Sequence, residues 1–181
     1  KKRFEKGEEV YHIENITSIE NYIKSKNLIM IRSFHKNYNL INNYLFIEIC
    51  QNCKRLQYID LSNKSYITND EIYIIANNCI KLISINLSGC NLLTNSLGYL
   101  SKKCKRLSRF NLSKLTIDKK YILQFVQNCN KLKSIDFEKT LFTYLKNEII
   151  NEVSNHCNNL CWLNLSYTNV SDDNVLEILK K

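Results

Sequence analysis

The chain holds eight cysteines and three histidines, the residue types with which a small domain most often builds a nucleophile or a metal site. Cys50 and Cys53 form a CxxC pair, a spacing that suits zinc or dithiol redox chemistry. His156 directly precedes Cys157, so a Cys/His dyad is conceivable, but adjacent side chains normally point apart. A tetrahedral zinc site needs four converging ligands and no second CxxC exists, while His12 and His35 stand isolated near the N-terminus. Gly7, Gly89 and Gly98 are the only glycines, too few and too scattered for a phosphate-cradling loop. The expectation is a chain without catalytic residues, bound metal or cofactor.

The cysteines make better sense as punctuation. Cys53, Cys79, Cys104, Cys129 and Cys157 follow one another at intervals of 26, 25, 25 and 28 residues. Each opens the same phrase: Leu56, Ile59 and Leu61 after the first recur as Leu82, Ile85 and Leu87, then Leu107, Phe110 and Leu112, then Leu132, Ile135 and Phe137, then Leu160, Leu163 and Leu165. A period of this size means a solenoid, in which no unit buries its apolar face alone. The five cysteines should therefore stack as a buried row of small hydrophobes, with Cys90 at a second site and Cys50 and Cys161 outside the pattern. Reduced thiols in turn suit the cytoplasm or nucleus.

Each unit must contain one strand and one helix. The apolar residues alternate with polar ones after the cysteine, the period of a short strand with one buried face. The period then lengthens: Ile72, Ile75 and Ala76, and likewise Leu93, Leu97 and Leu100, sit at helical spacing. Thr68 and Glu71 have capping-box spacing, and Ser171 with Asp172 and Asp173 opens a final helix in a similar way. Asn52, Asn78 and Asn128 end helices, where asparagine tolerates the left-handed cap conformation. Residues 1–52 read as an N-terminal cap and degenerate repeat, with Ile16, Ile19, Tyr22 and Ile23 on one helix, Leu28 and Ile31 in a strand, and Tyr44, Leu45, Ile49 and Cys50 on a second helix. Residues 53–181 hold the five clear repeats of one continuous domain. The fourth gains about three residues, assigned to a loop around Thr140, Leu141, Phe142 and Tyr144 and a candidate contact site.

CysxxLeuxxLeuxLeuxxCys followed by an amphipathic helix resembles the cysteine-containing leucine-rich repeat, and the stretch from Cys79 to Cys90 is close to its consensus. The resemblance implies an α/β fold, a right-handed leucine-rich-repeat solenoid shaped as a short horseshoe, with a concave parallel sheet and helices on the convex side. It also implies protein binding, most familiarly as the substrate-recognition part of F-box ubiquitin ligases. The chain lacks proline, and residues 1–35 offer no Leu-Pro opening of an F-box, so such an adaptor-binding segment would lie outside this sequence. The first residue is not Met, which fits an excerpt of a longer protein. No apolar run approaches the roughly 18 to 20 residues that span a bilayer, and no signal-peptide pattern opens the chain.

Strand alternation selects the candidate partner-binding residues. With Ile59, Leu61 and their equivalents inward, the triplets Tyr58, Asp60, Ser62; Ser84, Asn86, Ser88; Arg109, Asn111, Ser113; Ser134, Asp136, Glu138; and Trp162, Asn164, Ser166 face the concave side. Asp60, Asn86, Asn111, Asp136 and Asn164 form a ladder about 20 Å long, whose first use is to satisfy neighbouring strand groups. Trp162, Tyr58 and Arg109 supply the residue types that dominate binding hot spots. The AsnxSer triplets at Asn86, Asn111 and Asn164 arise from the repeat and are weak glycosylation signals.

The net charge of +9 also has a pattern. Arg55, Lys81, Arg106 and Lys131 occupy one equivalent position, joined by Lys54 and Lys105, and make a basic rim where helices end. Cations there complement the partial negative charge of helix C-termini by about 0.3 to 1 kcal/mol each at low salt. The functional alternative for the rim is a phosphorylated or acidic ligand or nucleic acid. Without stacking aromatics between the cations, nucleic acid ranks behind a protein partner.

Overall fold

The computed structural model describes residues 30–31, 43–90, 95–143, 146–171 and 176. His12, His35, Leu93, Tyr144, Asp172, Asp173 and the helix expected around Ile16 to Ile23 lie outside these residues. Eight strands and five helices follow one another among the described residues: β1 (Met30–Ile31), α1 (Asn43–Asn52), β2 (Tyr58–Asp60), α2 (Asn69–Asn78), β3 (Ser84–Asn86), α3 (Ser96–Lys103), β4 (Arg109–Asn111), β5 (Thr116–Asp118), α4 (Lys119–Asn128), β6 (Ser134–Asp136), β7 (Leu141–Thr143), α5 (Lys146–His156) and β8 (Trp162–Asn164).

Six strands build one wholly parallel sheet in the order β1-β2-β3-β4-β6-β8. Its register is the register of the sequence repeat. Tyr58, Ser84, Arg109, Ser134 and Trp162 pair in turn, as do Ile59, Ile85, Phe110, Ile135 and Leu163, and then Asp60, Asn86, Asn111, Asp136 and Asn164. The middle rank turns inward, where Ile59, Ile85, Phe110 and Ile135 meet Ile72, Ile75, Leu97, Leu100, Ile122, Phe125, Ile149 and Val153 from the helices; all of these are buried. Phe110 and Phe125 stack with centroids 4.0 Å apart, tying β4 to α4. β1 pairs in parallel with β2, so the N-terminal unit joins the same sheet through Met30 and Ile31.

The strands β2, β3, β4, β6 and β8 each stop after three residues because the side chain at the end turns the backbone. Asp60, Asn86, Asn111, Asp136 and Asn164 each accept, through Oδ1, the N–H two residues on, at 2.9 to 3.0 Å. Such an Asx turn gives the backbone an alternative to continuing the ladder. Ser62, Ser88, Ser113, Glu138 and Ser166 are therefore turn residues. Ser88 and Ser113 are buried at 9% and 6% exposure, which corrects their expected place on the open face. One residue further, Asn63, Gly89, Lys114, Lys139 and Tyr167 all adopt positive φ, between 56 and 65°. Four of these residues donate their N–H to the next repeat, from Asn63 to Ser88 O, Gly89 to Ser113 O, Lys114 to Glu138 O and Lys139 to Ser166 O, at 2.7 to 3.0 Å. The left-handed turn is thus a repeat feature, held even where lysine stands at some steric cost.

Helix ends differ from expectation in one respect. The box at Thr68 forms: Asp70 N–H donates to Thr68 Oγ1 at 3.3 Å, and Thr68 N–H donates to the buried Glu71 carboxylate at 2.7 Å. Asn52, Asn78 and Asn128, however, are not left-handed caps. They are the last helical residues, and each amide donates back to the carbonyl four residues earlier, Glu48, Ile74 and Gln124, at 2.6 to 2.8 Å. The cap position itself belongs to the cysteine that follows, with φ between −112 and −92° at Cys79, Cys104 and Cys129.

The five repeat cysteines are buried in a row, as their spacing predicts. Cys104 Sγ lies 3.5 Å from the Cys79 carbonyl and Cys79 Sγ lies 4.0 Å from that of Cys50, so thiols rest on the helix-end carbonyls of the preceding repeat. A small side chain with a weak donor fits that slot. Cys90 is used in the same way at the second site, donating to Leu61 O at 3.0 Å; at the same repeat position two units later, Thr140 donates to Leu112 O at 2.9 Å.

The lengthened fourth repeat needs a correction. Thr140 is buried, and Leu141–Thr143 is not a loop: it is β7, paired in parallel with β5 as a second, two-stranded sheet. Thr140, Leu141 and Phe142 therefore align with Leu115, Thr116 and Ile117 of the preceding repeat, and the extra residues fall between Thr143 and the end of α5. Asp118 closes β5 and at once caps α4, accepting the Lys120 N–H at 3.0 Å.

Candidate functional site: the open sheet face and its basic rim

The outward rank of the sheet runs Tyr58, Ser84, Arg109, Ser134, Trp162, with neighbours about 4.8 Å apart. Arg109 and Trp162 are exposed, Trp162 at 49%, while Tyr58, Ser84 and Ser134 are half-buried. The indole sits on β8, whose first N–H donates to the Lys133 carbonyl at 3.1 Å; Lys133, itself exposed, therefore lies beside the tryptophan. Lys133 escaped the sequence reading because its repeat equivalents Gln57, Ile83, Ser108 and Cys161 share no chemistry with it.

The adjoining Asp/Asn rank is half-buried and spends one oxygen of every side chain on its own turn. Asn111 also donates to the Asp136 carboxylate at 3.3 Å, linking neighbours along the ladder. These residues shape the face and present the remaining polar atom. Glu138 follows in the turn, half-buried, with its carboxylate 3.5 Å from Lys139 Nζ. Lys139 also lies over the Tyr167 ring, 5.1 Å from its centroid. Positive φ at Lys139 and Tyr167 sets up that pair, and neither residue type advertises such a turn.

Across the face from these acids, Lys54, Arg55, Lys81, Lys105, Arg106 and Lys131 are all exposed in the turns that join each helix to the next strand. Lys54 Nζ donates to Asn78 Oδ1 at 2.6 Å, and that asparagine in turn holds the last turn of α2, so the rim and helix cap are connected. Elsewhere on the surface Lys119 pairs with Glu148, Lys120 with Asp118 and Lys139 with Glu138. Helix-dipole complementation accounts for one cation per helix end. Lys102 and Lys103 end α3, and Lys105 with Arg106 follow at once, so four cations meet at a single terminus. Like charges about 5 Å apart in water repel by about 0.8 kcal/mol per pair.

The thiols and the histidine are placed for structure. Burial pushes the Cys90 and Cys157 thiols up to about 11 and those of Cys104 and Cys129 to about 12. Hydrogen bonding to the Cys79 thiol, then burial, raises Cys50 well above its ordinary value. A thiol held in its protonated form is a poor nucleophile and metal ligand. His156 Nδ1 lies 3.2 Å from the carbonyl of Glu152, the same i−4 contact that Asn52, Asn78 and Asn128 make from their equivalent positions. Cys161 is the exposed cysteine, its Sγ 3.4 Å from Asn159 O. Among the described residues no group of three or more His, Cys, Asp or Glu is arranged to hold a metal, and no helix is long and apolar enough to cross a membrane.

The sequence matches no protein-family model and no curated protein. Solved structures do resemble the fold. The C-terminal domain of a Caenorhabditis elegans tropomodulin superposes with a TM-score of 0.60 at 12% identity, over 79% of this chain and 91% of that domain. An internalin from Listeria monocytogenes gives 0.57 at 20% identity, over 92% of this chain. The matched region spans 42% of the internalin's length. Likeness at such low identity is a likeness of backbone, and it agrees with the parallel sheet, the repeat register and the stacked helices: the chain is an α/β leucine-rich-repeat solenoid.

Proposed function

We propose that this chain is a non-catalytic interaction module that receives a protein partner on the open face of its six-stranded sheet. The observation that carries the reading is the in-register rank from Tyr58 through Arg109 to Trp162, in which an exposed indole and an exposed guanidinium stand two strands apart on one rigid surface. Interfaces concentrate their energy in a few such anchors. The half-buried ladder of Asp60, Asn86, Asn111, Asp136 and Asn164, with Glu138 beside it, supplies the polar surround. Solenoids of this kind offer curved surfaces on which complementarity, not a pocket, selects the partner. The narrower reading is a ubiquitin-ligase substrate receptor; the substrate would occupy this same face, and the adaptor would be held by a segment outside these residues.

Trp162→Ala tests the proposal. Binding of the physiological partner, identified by affinity purification of the full-length protein, is expected to weaken at least tenfold, the loss typical of a hot-spot aromatic. The melting temperature is expected to change little, because half of the side chain already faces solvent. Unchanged affinity with unchanged melting would remove the indole from the interface.

A further inference from the structure

We infer that the basic rim is a second docking surface, separate from the sheet face, and that it takes an acidic α-helix of a protein partner laid across the repeats. Arg55, Lys81, Arg106 and Lys131 occupy one position in successive repeats, and the sheet register carries them along one line on the turns before the strands. All four are exposed, and Lys54 and Lys105 widen the row.

The spacing selects the partner. Adjacent strands are about 4.8 Å apart, and each rim cation stands three residues before its strand. Carboxylates three or four residues apart on an α-helix recur about every 5 to 6 Å along one face. Three repeat steps, from Arg55 to Lys131, cover about 14 Å, which is about ten residues of helix at 1.5 Å each. An extended segment presents same-side residues about 6.7 Å apart and drifts out of step by about 5.7 Å, more than one strand spacing, over three steps. Exposed positions next to these cations are Ile80, Asn130 and Asn158, none of them an aromatic on which bases could stack, which disfavours a nucleic-acid strand. The charge layout fixes the partner's location, since Asp60, Asp136 and Glu138 lie at the other end of the strands and repel an acidic helix there. Opposed charge also raises the encounter rate and suppresses wrong registers.

The test is fluorescence anisotropy on the full chain with three probes. One is a 21-residue helical peptide with glutamates along one face; another has the same composition with glutamates spread around the helix; the third is single-stranded oligouridine. The striped peptide is expected to bind at least tenfold more tightly than the dispersed one, with affinity falling as salt rises. Arg106→Glu combined with Lys131→Glu should abolish that preference, and Trp162→Ala should leave it intact, which separates this surface from the sheet-face proposal. If the charge-reversed chain does not fold by circular dichroism, Arg106→Gln with Lys131→Gln serves instead and should cut the preference below threefold. Equal affinity for the two peptides, tighter binding of oligouridine than of the striped peptide, or a preference that survives the rim substitutions overturns the inference.

Discussion

Raising the pH from 8 to 11 should unfold this chain over a narrow range, through its thiols. Cys90 and Cys157 are pushed up to about 11, and Cys104 and Cys129 to about 12, mainly by burial. In the unfolded chain a thiol titrates near its ordinary value, about 8.5. Between these limits the unfolded state binds fewer protons than the folded state, so stability falls as pH rises. The contribution is complete below about pH 8.5 and is lost towards pH 11 to 12. Each thiol contributes a slope of at most about 1 kcal/mol per pH unit inside that window, and with Cys50 shifted in the same direction the thiols together remove several kcal/mol, a large share of the stability of a domain this size. Tyr66, raised by burial to about 12, adds to the same trend. Urea unfolding followed by circular dichroism at pH 8, 9.5 and 10.5 measures the slope. Cys104→Ala with Cys129→Ala should start from a lower stability yet lose about a third of the slope, two of the six raised groups. An undiminished slope in that variant would assign the alkaline sensitivity to lysines and tyrosines.

The second large effect is expected at Phe125. Its ring is fully buried on α4 and stacks on Phe110 of β4 with an interplanar angle of 18°, so one side chain fixes the distance between a helix and the sheet in the middle of the array. Phe125→Ala should lower the unfolding free energy by about 3 to 5 kcal/mol, the transfer term plus the cavity left behind. In a solenoid each repeat is stabilised by its neighbours, so a defect in a central unit weakens two interfaces. The urea midpoint should fall accordingly, and Phe125→Leu should recover more than half of the loss. A cost below about 1 kcal/mol for the alanine variant would mean that α4 is not held against β4 through this ring.

The parts of this structure that were legible in the sequence are those where one residue type recurs for one reason. A buried slot at the helix end takes a small side chain, so cysteine returns at Cys53, Cys79, Cys104, Cys129 and Cys157 and announces the repeat, with the thiols of Cys79 and Cys104 set on carbonyls of the preceding unit. Alternation at Ile59, Ile85, Phe110 and Ile135 fixes which rank turns inward and therefore placed Trp162 and Arg109 on the open face. Features set by backbone geometry were less visible. Positive φ recurs at Asn63, Gly89, Lys114, Lys139 and Tyr167, but only the first two residue types suggest it. Asn52, Asn78 and Asn128 were misread because asparagine can satisfy a helix end in two ways, and here the side-chain amide does so without any left-handed residue. The strands β5 and β7 are three residues each and carry no distinct alternation, so the growth of the fourth repeat was assigned to residues that in fact align with its neighbour.

Site-specific photo-crosslinking tests the account most directly. A benzophenone amino acid at Ser134, between Arg109 and Trp162 on the outward rank, is compared with one at Gln124, exposed on α4, both in the full-length protein in its own cell. The account predicts a partner adduct from position 134 that disappears with Trp162→Ala, and none of that partner from position 124. The same partner captured from the helix side, with nothing from the sheet, would contradict it.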